Sequence, residues 1–374
     1  MSLKQRKRPM GRGKAITALV TGVGDTVGQA LIKALRESAV PCRLIGTDRD
    51  KLSVGLEWVD RSYLLPHCSR AEAYLRELAT ICADEKVRLI FPGSENELEL
   101  LASHAEALRS ETGAIVVASP PEVLRIGMNK WETCLFLKRA GLNYPRFARL
   151  DAAGEIEQLV REAGFPLIAK PFRGTGARGL SLVKSWNDFE SLRGRELAMV
   201  VQEYLQPDDE EYSVEVYTLK SGRQVGAISY QRKHLVAGDT YKAKIGLNPA
   251  VEAEARAVVA ALGAIGPCNV QLRLTERGPV TFEINPRFSG GVGMRAHFGY
   301  NEPEMALRDL ALDQPVPVPQ VRQGVVLRYW EELYLDEETA PKVADCSTSI
   351  AMQAIPRVSR NGKEERRADA RVAH

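Results

Sequence analysis

Residues 166–179 read PLIAKPFRGTGARG, so that an apolar run leads directly into a glycine-rich segment. The run ends at Lys170, whose backbone Pro171 holds extended. The segment that follows comprises Gly174, Thr175, Gly176, Ala177, Arg178 and Gly179. Glycines at every second or third position let backbone N–H groups approach phosphate oxygens, and the basic side chains add charge. The stretch predicts a strand followed by a phosphate-binding loop. A plain hairpin is the alternative, and the P-loop pattern is absent.

A second pattern follows about twenty residues later. Residues 200–205 read VVQEYL, an apolar strand that ends in polar residues, and residues 211–216 read EYSVEV. An adenine needs a dry slot with backbone donors and acceptors, and a ribose needs a carboxylate for its hydroxyls. The candidates for these contacts are Gln202, Glu203, Tyr204, Leu205 and Glu211. A half-exposed strand that binds nothing is the alternative interpretation.

A third pattern joins two predicted strands, NVQLR at 269–273 and FEINPR at 282–287, in a hairpin. Glu283 and Asn285 are two residues apart and therefore project from one face of their strand, where Gln271 on the neighbouring strand can join them. Magnesium prefers oxygen ligands, usually one or two carboxylates plus substrate phosphates. The hairpin therefore predicts a Mg²⁺ site, with Mn²⁺ as the alternative metal. A solvated outer face is the competing interpretation.

The segment after this hairpin, RFSGGVGMR at 287–295, is a glycine-rich loop between Arg287 and Arg295. Arginine forks match carboxylate and phosphoryl oxygens, so we predict a substrate-facing loop in which both arginines act in catalysis. Basic residues at 232, 242 and 244 are further candidates for a clamp on an organic carboxylate. Solvated surface positions are the alternative for these residues.

Residues 15–118 alternate apolar runs with amphipathic stretches, which is typical of a parallel sheet flanked by helices. We predict a doubly wound α/β domain here. The turn at 21–28, TGVGDTVG, with Asp48 further on, resembles a dinucleotide fingerprint, although glycines needed for a tight turn explain it equally well. Ser94–Glu97 falls where such sheets bind ligands, and it also fits a helix N-cap.

The chain has 374 residues, enough for two or three domains. After the first domain, mixed strands and helices predict a two-lobed α+β unit at 119–313, with a small lobe at about 119–198 and a large lobe at about 199–313. We expect a linker and a small β element at 314–356, and disordered ends at 1–14 and 357–374.

The bulk composition excludes several classes of protein. A net charge of +3, from 51 basic and 48 acidic residues, is too balanced for a polyanion-binding protein. The sequence has no run of 18 apolar residues and no signal-peptide pattern, and its six cysteines are scattered without zinc-site spacing. We therefore expect a cytoplasmic protein without nucleic-acid or membrane partners.

In this order, the patterns K-P-x-x-G-x-G-x-R-G, Q-E-Y-L, E-Y-S-V-E-V, N-V-Q and E-I-N-P-R resemble the ATP-grasp superfamily. The resemblance is specifically to one synthetase unit of the carbamoyl phosphate synthetase large subunit and to related carboxylate–amine ligases, and it covers about residues 15–313. The chain has one such unit and lacks a second half. The sequence FSGG at 288–291 also departs from the serine-rich continuation in that enzyme, which puts bicarbonate as the substrate in doubt.

The resemblance implies that ATP and Mg²⁺ bind between two lobes and that a carboxylate is activated as an acyl phosphate for attack by an amine. It implies phosphate contacts from Lys130 and Lys170, a flap at Gly174–Gly179, adenine contacts from the backbone of Glu203 and Leu205, a ribose contact from Glu211, metal ligation by Gln271, Glu283 and Asn285, and phosphoryl stabilisation by Arg287. The first domain would help to bind the other substrate.

Two other hypotheses remain open from the sequence. An NAD-dependent oxidoreductase would use the glycine turn and Asp48, and a regulatory protein would bind ATP without turnover. The expected partners are a small-molecule carboxylate and amine, with a homodimer as the default assembly.

Overall fold

The computed structural model describes residues 15–174, 178–193, 198–236 and 238–335. The predicted disordered ends at 1–14 and 357–374 lie outside these ranges, as does the part of the predicted C-terminal element from 336 to 356. No helix in the described ranges is long and apolar enough to cross a membrane.

The first domain is built on a five-stranded sheet in which every pair of neighbouring strands is parallel. Its strands are β1 (Ile16–Val20), β2 (Cys42–Asp48), β3 (Arg61–Leu64), β4 (Leu89–Phe91) and β5 (Ile115–Val116), in the spatial order β3-β2-β1-β4-β5. Its helices are α1 (Thr26–Glu37), α2 (Ala71–Asp84), α3 (Glu95–Ser103) and α4 (Ala105–Thr112), with a 3₁₀ turn at Val54–Trp58. The order reverses at β1, as in a doubly wound sheet, which confirms the predicted fold class of this domain.

The glycine turn after β1 is filled by the protein itself. The Asp48 carboxylate accepts a hydrogen bond from the Gly24 N–H at 2.7 Å. A Cβ at Gly28 would lie 2.2 Å from the Gly22 carbonyl oxygen, so a larger residue at this position would clash with the turn. The glycines are therefore required by the tight turn, and Asp48 caps that turn. The structure favours the structural interpretation over an NAD site.

The small lobe forms around a four-stranded sheet in the order β6-β9-β7-β8. Two helices, α5 (Pro121–Gly127) and α6 (Lys130–Arg139), precede this lobe. Its elements are β6 (Phe147–Arg149), α7 (Ala153–Ala163), β7 (Leu167–Pro171), β8 (Ser181–Val183), α8 (Trp186–Arg193) and β9 (Met199–Glu203).

The large lobe is a six-stranded antiparallel sheet in the order β14-β13-β10-β11-β12-β15. Its strands are β10 (Glu211–Thr218), β11 (Gln224–Val236), β12 (Asp239–Gly246), β13 (Gly266–Thr275), β14 (Gly278–Asn285) and β15 (Gly324–Leu327). Helix α9 (Pro249–Leu262) covers one face, while α10 (Val292–His297), α11 (Glu302–Ala306) and a π-helical turn at Leu307–Ala311 follow β14. The N-cap of α9 is Asn248, whose side chain accepts from the Val251 N–H.

The lobes divide differently from the sequence-based boundaries. Strand β9, assigned from sequence to the large lobe, pairs with β6 and β7 in the small lobe. Val123 of α5 and Leu137 of α6, assigned to the small lobe, are buried in the large-lobe core with the α9 side chains. Strand β15 pairs with β12, so it extends the large-lobe sheet. Strand pairing depends on partners distant in sequence, and hydrophobic periodicity does not reveal those partners.

Candidate active site

Charged side chains of the two lobes meet between β7 and β14, and we call this region the crevice. Lys170, on β7 of the small lobe, is buried, and its ammonium group lies 4.9 Å from the centre of the Phe282 ring on β14 of the large lobe. Burial lowers the pKa of Lys170 from its ordinary value, although the nearby Glu283 opposes this effect. A buried lysine close to a carboxylate of the opposite lobe marks this crevice as the place where charges converge.

The predicted metal ligands come together on the β13–β14 hairpin. Gln271 pairs directly with Glu283 in the antiparallel register. The Asn285 amide donates to Glu283 Oε1 at 3.0 Å, and Gln271 Oε1 accepts from Arg232 at 2.8 Å. One carboxylate and two side-chain amides are an oxygen donor set that suits Mg²⁺ when phosphates complete its shell. Within the described ranges, no group of three or more His, Cys, Asp or Glu side chains is placed to hold a metal.

Glu283 is ionised more readily than an ordinary glutamate. Burial alone would raise its pKa, but Lys130, the Asn285 hydrogen bond, Lys170 and Arg232 lower the pKa below its ordinary value. The carboxylate is therefore held in the charged form that a divalent cation needs.

Lys130 contacts the described beginning of the loop after β7. Lys130 is the first residue of α6, and its ammonium group donates to the Gly174 carbonyl oxygen at 2.8 Å. Gly174 and Gly179 have φ values of +137° and +75°, which favour glycine. Arg178 is exposed. The other predicted loop residues, Thr175, Gly176 and Ala177, lie outside the described residues.

The predicted adenine-binding segment is engaged in contacts within the protein. Gln202 is buried and its amide donates to Cys134 Sγ at 3.0 Å, whereas Glu203 forms ion pairs with Arg146 and Arg277. The Tyr204 hydroxyl donates to Asp208 at 2.7 Å. The carbonyl oxygen of Leu205 accepts from Arg273. The side chains of this segment therefore fix its backbone between the two lobes.

The predicted ribose ligand, Glu211, lies between two arginines. Its Oε1 accepts from Arg232 at 2.7 Å and its Oε2 accepts from Arg273 at 2.6 Å. Each carboxylate oxygen has a further lone pair for a ribose hydroxyl. The arginines hold the carboxylate in a single orientation.

Arg287 reaches from the end of β14 to the first domain. Its guanidinium donates through Nε, at 3.0 Å, and through Nη2, at 2.5 Å, to Glu95 Oε1, and through Nη1 to the Phe288 carbonyl oxygen at 3.0 Å. Glu95 is the first residue of α3. It lies in the Ser94–Glu97 segment, for which the sequence left two interpretations open, a helix N-cap and a ligand-binding position beyond a strand end. Ser94 does cap α3, and its hydroxyl accepts from the Glu97 N–H at 3.4 Å. Glu95 was not among the predicted site residues, although its position beyond a strand end was a signal.

Arg295 does not lie at the crevice surface. Its side chain is 0% exposed and pairs with Glu215 at 2.9 Å and with Glu302 at 2.5 Å. The predicted contact with substrate is therefore wrong for the structure described, because no surface of the guanidinium is accessible. Arg295 instead anchors α10 and α11 to the large-lobe sheet.

The proposed carboxylate clamp is also not assembled. Arg232 pairs with Ala243 in the register of β11 and β12, so it shares a sheet face with Ala243. Lys242 and Lys244 flank Ala243, are exposed, and project from the opposite face. Their charges point away from Arg232 and cannot close on one ligand with it.

Two family models match separate parts of this chain. Residues 195–333 match the family model described as ATP-grasp in the biosynthetic pathway with Ter operon. Residues 18–117 match the model of the PylC-like N-terminal domain. The first match spans β9 of the small lobe and the strands of the large lobe, and the second covers the first domain.

The individual relatives include a ligase and a formyltransferase. D-alanine–D-alanine ligase B of Chromobacterium violaceum is 29% identical over 183 residues, which are 45% of this chain and 58% of that enzyme. The formate-dependent phosphoribosylglycinamide formyltransferase of Prochlorococcus marinus is 23% identical over 346 residues, 88% of this chain and 82% of that enzyme. Among solved structures, the biotin carboxylase domain dimer of Hydrogenobacter thermophilus 2-oxoglutarate carboxylase, with MgADP, ADP and bicarbonate, has a TM-score of 0.64 at 14% identity. It covers 84% of this chain and 74% of that one.

Proposed function

From the premise that this chain belongs to the ATP-grasp superfamily, we propose that it is an ATP-dependent carboxylate–amine ligase. The predicted recognition and the predicted fold class are both confirmed by the family models and by the sheet topology. The observation that carries the proposal is the convergence of Lys170 and Glu283 from opposite lobes in one crevice. A basic strand end opposite an oxygen donor set is suited to a triphosphate with its metal.

The names of the relatives support the same class. They include a ligase that joins two amino acids and a formyltransferase that depends on formate, and the solved biotin carboxylase domain holds MgADP. These names support ATP and Mg²⁺ as the nucleotide and metal here, with a small-molecule acid and amine as substrates. Among the described residues, the turn after β1 is filled by Asp48 and favours no NAD-dependent oxidoreductase.

The residues of this chain have distinct roles in the proposed reaction. Lys130 and Lys170 would bind phosphate oxygens, and Glu283 with Gln271 and Asn285 would hold the metal. When bound, Mg²⁺ would neutralise charge on the transferred phosphoryl group. Arg287, oriented by Glu95, would stabilise the charge that develops as a carboxylate oxygen attacks the γ-phosphorus and ADP leaves.

In the second half of the reaction, the protein has to position the amine and the acyl phosphate, and no side-chain nucleophile is required. An amine attacks the carbonyl carbon of the acyl phosphate, the C–O bond to phosphate breaks, and phosphate leaves with the new amide formed. Water would hydrolyse the acyl phosphate, so the crevice must close during this step. The contact between Lys130 and Gly174 supports this proposal, because it holds the beginning of the predicted flap beside a predicted phosphate ligand.

A steady-state assay tests the proposal. With ATP, Mg²⁺ and pooled amino acids, we expect phosphate release that depends on an acid and an amine. Because Glu283 is the one carboxylate among the three predicted ligands, Glu283→Ala should lower turnover by about 10²–10³-fold. The exposed Glu276→Ala in the turn of the same hairpin is the matched control and should retain activity. Near-normal turnover in Glu283→Ala would refute the assignment, and ATP affinity without any turnover would favour a regulatory protein.

We extend the proposal to the oligomeric state of the protein and its cellular location. We propose a homodimer, which the dimeric state named for the solved biotin carboxylase domain supports, and a cytoplasmic location. Light scattering on the purified chain would measure its mass in solution. A monomer at micromolar concentration would remove the dimer from the proposal.

A further inference from the structure

Strand β15 lies at the edge of the large-lobe sheet and pairs with β12. Its Val325 and Leu327 stand in register with Lys244 and Lys242 of β12. Because directly paired residues share one face of a sheet, these four side chains form one surface, which we call the β12–β15 face. Val325 and Leu327 are 66% and 67% exposed, and both lysines are exposed. The β12–β15 face is therefore an apolar and basic surface that is open to a partner.

The residues that follow β15 have the complementary chemistry. We call residues 329–335, with the sequence YWEELYL, the aromatic arm. Its aromatic side chains are highly exposed, at 73% for Tyr329, 81% for Trp330 and 86% for Tyr334. Clustered exposed apolar side chains mark interaction sites on soluble proteins. Glu331 and Glu332 lie between these aromatic residues, so the aromatic arm is apolar and acidic.

The aromatic arm of one chain leads away from the β12–β15 face of the same chain. Val326 of β15 points to the opposite face of the sheet, where it packs against the core that contains α1 side chains. Beyond the strand, Arg328 and Glu331 both interact electrostatically with Lys33 of α1. The aromatic arm therefore begins on the α1 side of the sheet, whereas the β12–β15 face lies on the other side.

A second copy of this chain fits the β12–β15 face by charge and by area. In a two-fold symmetric pair, each aromatic arm would meet the face of the other copy, so the same contact forms twice. A buried aromatic side chain removes about 150–250 Å² from water, and a specific interface buries about 1,200–2,000 Å² in total. The three aromatic residues of each arm, together with the surface that they cover, supply an area of this size.

We propose that this chain forms a homodimer in which the aromatic arm of each copy packs against the β12–β15 face of the other. Trp330 supplies apolar area against Leu327. Because Glu331 interacts with Lys33 of its own chain, Glu332 is the acidic residue that meets the lysines of the face. The inference rests on the proposed homodimer and adds the surface through which it forms. It is independent of the ligase chemistry, since neither surface contains a residue of the crevice.

Sedimentation velocity over a range of protein concentrations measures the dissociation constant of the dimer without an activity assay. Leu327→Ser and Trp330→Ser should each raise this constant at least about tenfold, because each removes apolar area from the contact. Leu52→Ser is the matched control, since Leu52 of the first domain is also 67% exposed. That variant should leave the dissociation constant within about twofold of wild type.

An exchange of charges tests whether these two surfaces meet each other. Lys244→Glu and Glu332→Lys should each weaken the dimer about fivefold, because the reversal acts in both symmetric contacts. The double variant should return the dissociation constant to within about twofold of wild type.

A wild-type dimer that none of these variants weakens would overturn the inference and leave the homodimer standing. A wild-type monomer would overturn both, and would leave the β12–β15 face to the rest of its own chain or to another protein. Both results leave the ligase proposal intact, because phosphate release that depends on an acid and an amine tests it separately.

Discussion

Glu211 and Glu215 lie four residues apart on one face of β10, and both pair with arginine, but they belong to different kinds of site. Glu211 belongs to the crevice cluster, which we define as Glu211, Arg232, Gln271 and Glu283, and it is partly exposed. Glu215 belongs to the sealed cluster of Glu215, Arg295 and Glu302, all of which are 0% exposed. The same residue type on one strand is thus partly exposed at one end and fully buried at the other.

The electrostatics of the two clusters differ accordingly. In the crevice cluster, the surrounding cations lower the pKa of Glu283. In the sealed cluster, burial raises the pKa of both Glu215 and Glu302, although Arg295 opposes the effect in each case. One arginine cannot balance two buried carboxylates, so one of them favours its protonated form. The crevice cluster thus has several nearby cations and is accessible, whereas the sealed cluster has one arginine and is buried. These two properties separate a candidate binding site from a buried ion-pair network.

The largest expected effect comes from breaking the sealed cluster. Arg295→Met should lower the free energy of unfolding by about 3–5 kcal/mol, because it leaves buried carboxylates without their cation. Urea denaturation monitored by circular dichroism measures this change. The control is Arg308→Met, which breaks a partly exposed pair with Glu304 one helical turn away. That variant should lose less than about 1 kcal/mol. Equal losses in both variants would show that burial does not separate the two kinds of pair.

A second prediction concerns the pH dependence of stability. Because the folded-state pKa of Glu215 is raised, its contribution to stability is fully present below the ordinary carboxyl range and is lost as the pH rises toward neutrality. We expect Glu215→Gln to flatten the slope of unfolding free energy against pH by up to about 1.4 kcal/mol per pH unit between about pH 5 and 7.

The readout for this prediction is the difference between wild type and variant in urea midpoints across that range. The exposed Glu276→Gln should follow the wild-type slope. Parallel slopes for wild type and Glu215→Gln would mean that the carboxyl is ionised in the folded state at these pH values.

The smallest expected effect lies where the crevice meets the first domain. Glu95→Gln keeps the shape of the Arg287 partner but removes its charge, so Arg287 should be less well oriented. We expect kcat to fall about fivefold, or about 1 kcal/mol, while the KM for ATP stays within about twofold. Glu99→Gln, on the same helix and paired with Arg173, is the control and should leave kcat unchanged. An unchanged kcat in Glu95→Gln would exclude a positioning role for Glu95.

Several site features were predictable because they depend on local rules. The two-residue spacing places Glu283 and Asn285 on one strand face, and the hairpin brings Gln271 opposite Glu283 as expected. Alternating apolar runs and amphipathic stretches likewise predicted the parallel sheet of the first domain. Ser94 was predictable as an N-cap for the same reason, since a cap involves residues three positions apart.

Other assignments failed because they depend on contacts between distant segments. Arg295 follows a glycine-rich loop, as a substrate-binding arginine would, yet its side chain is buried and paired with Glu215 and Glu302. Lys242 and Lys244 are basic in sequence, but the register with β11 turns them away from Arg232. A one-residue shift in register would turn these lysines to the face of Arg232. No local sequence pattern specifies the register.

The sequence by itself determined the kind of protein: an α/β domain followed by an ATP-grasp unit, with phosphate-binding and metal-binding residue types in a recognisable order. Periodicity and residue spacing are short-range properties, so a linear chain is enough to express them. Only the tertiary structure decided which charges remain available to a ligand. Burial and pairing depend on distant segments, such as those of Glu95 and Arg287, which are 192 residues apart. The energies of these groups follow from their folded surroundings.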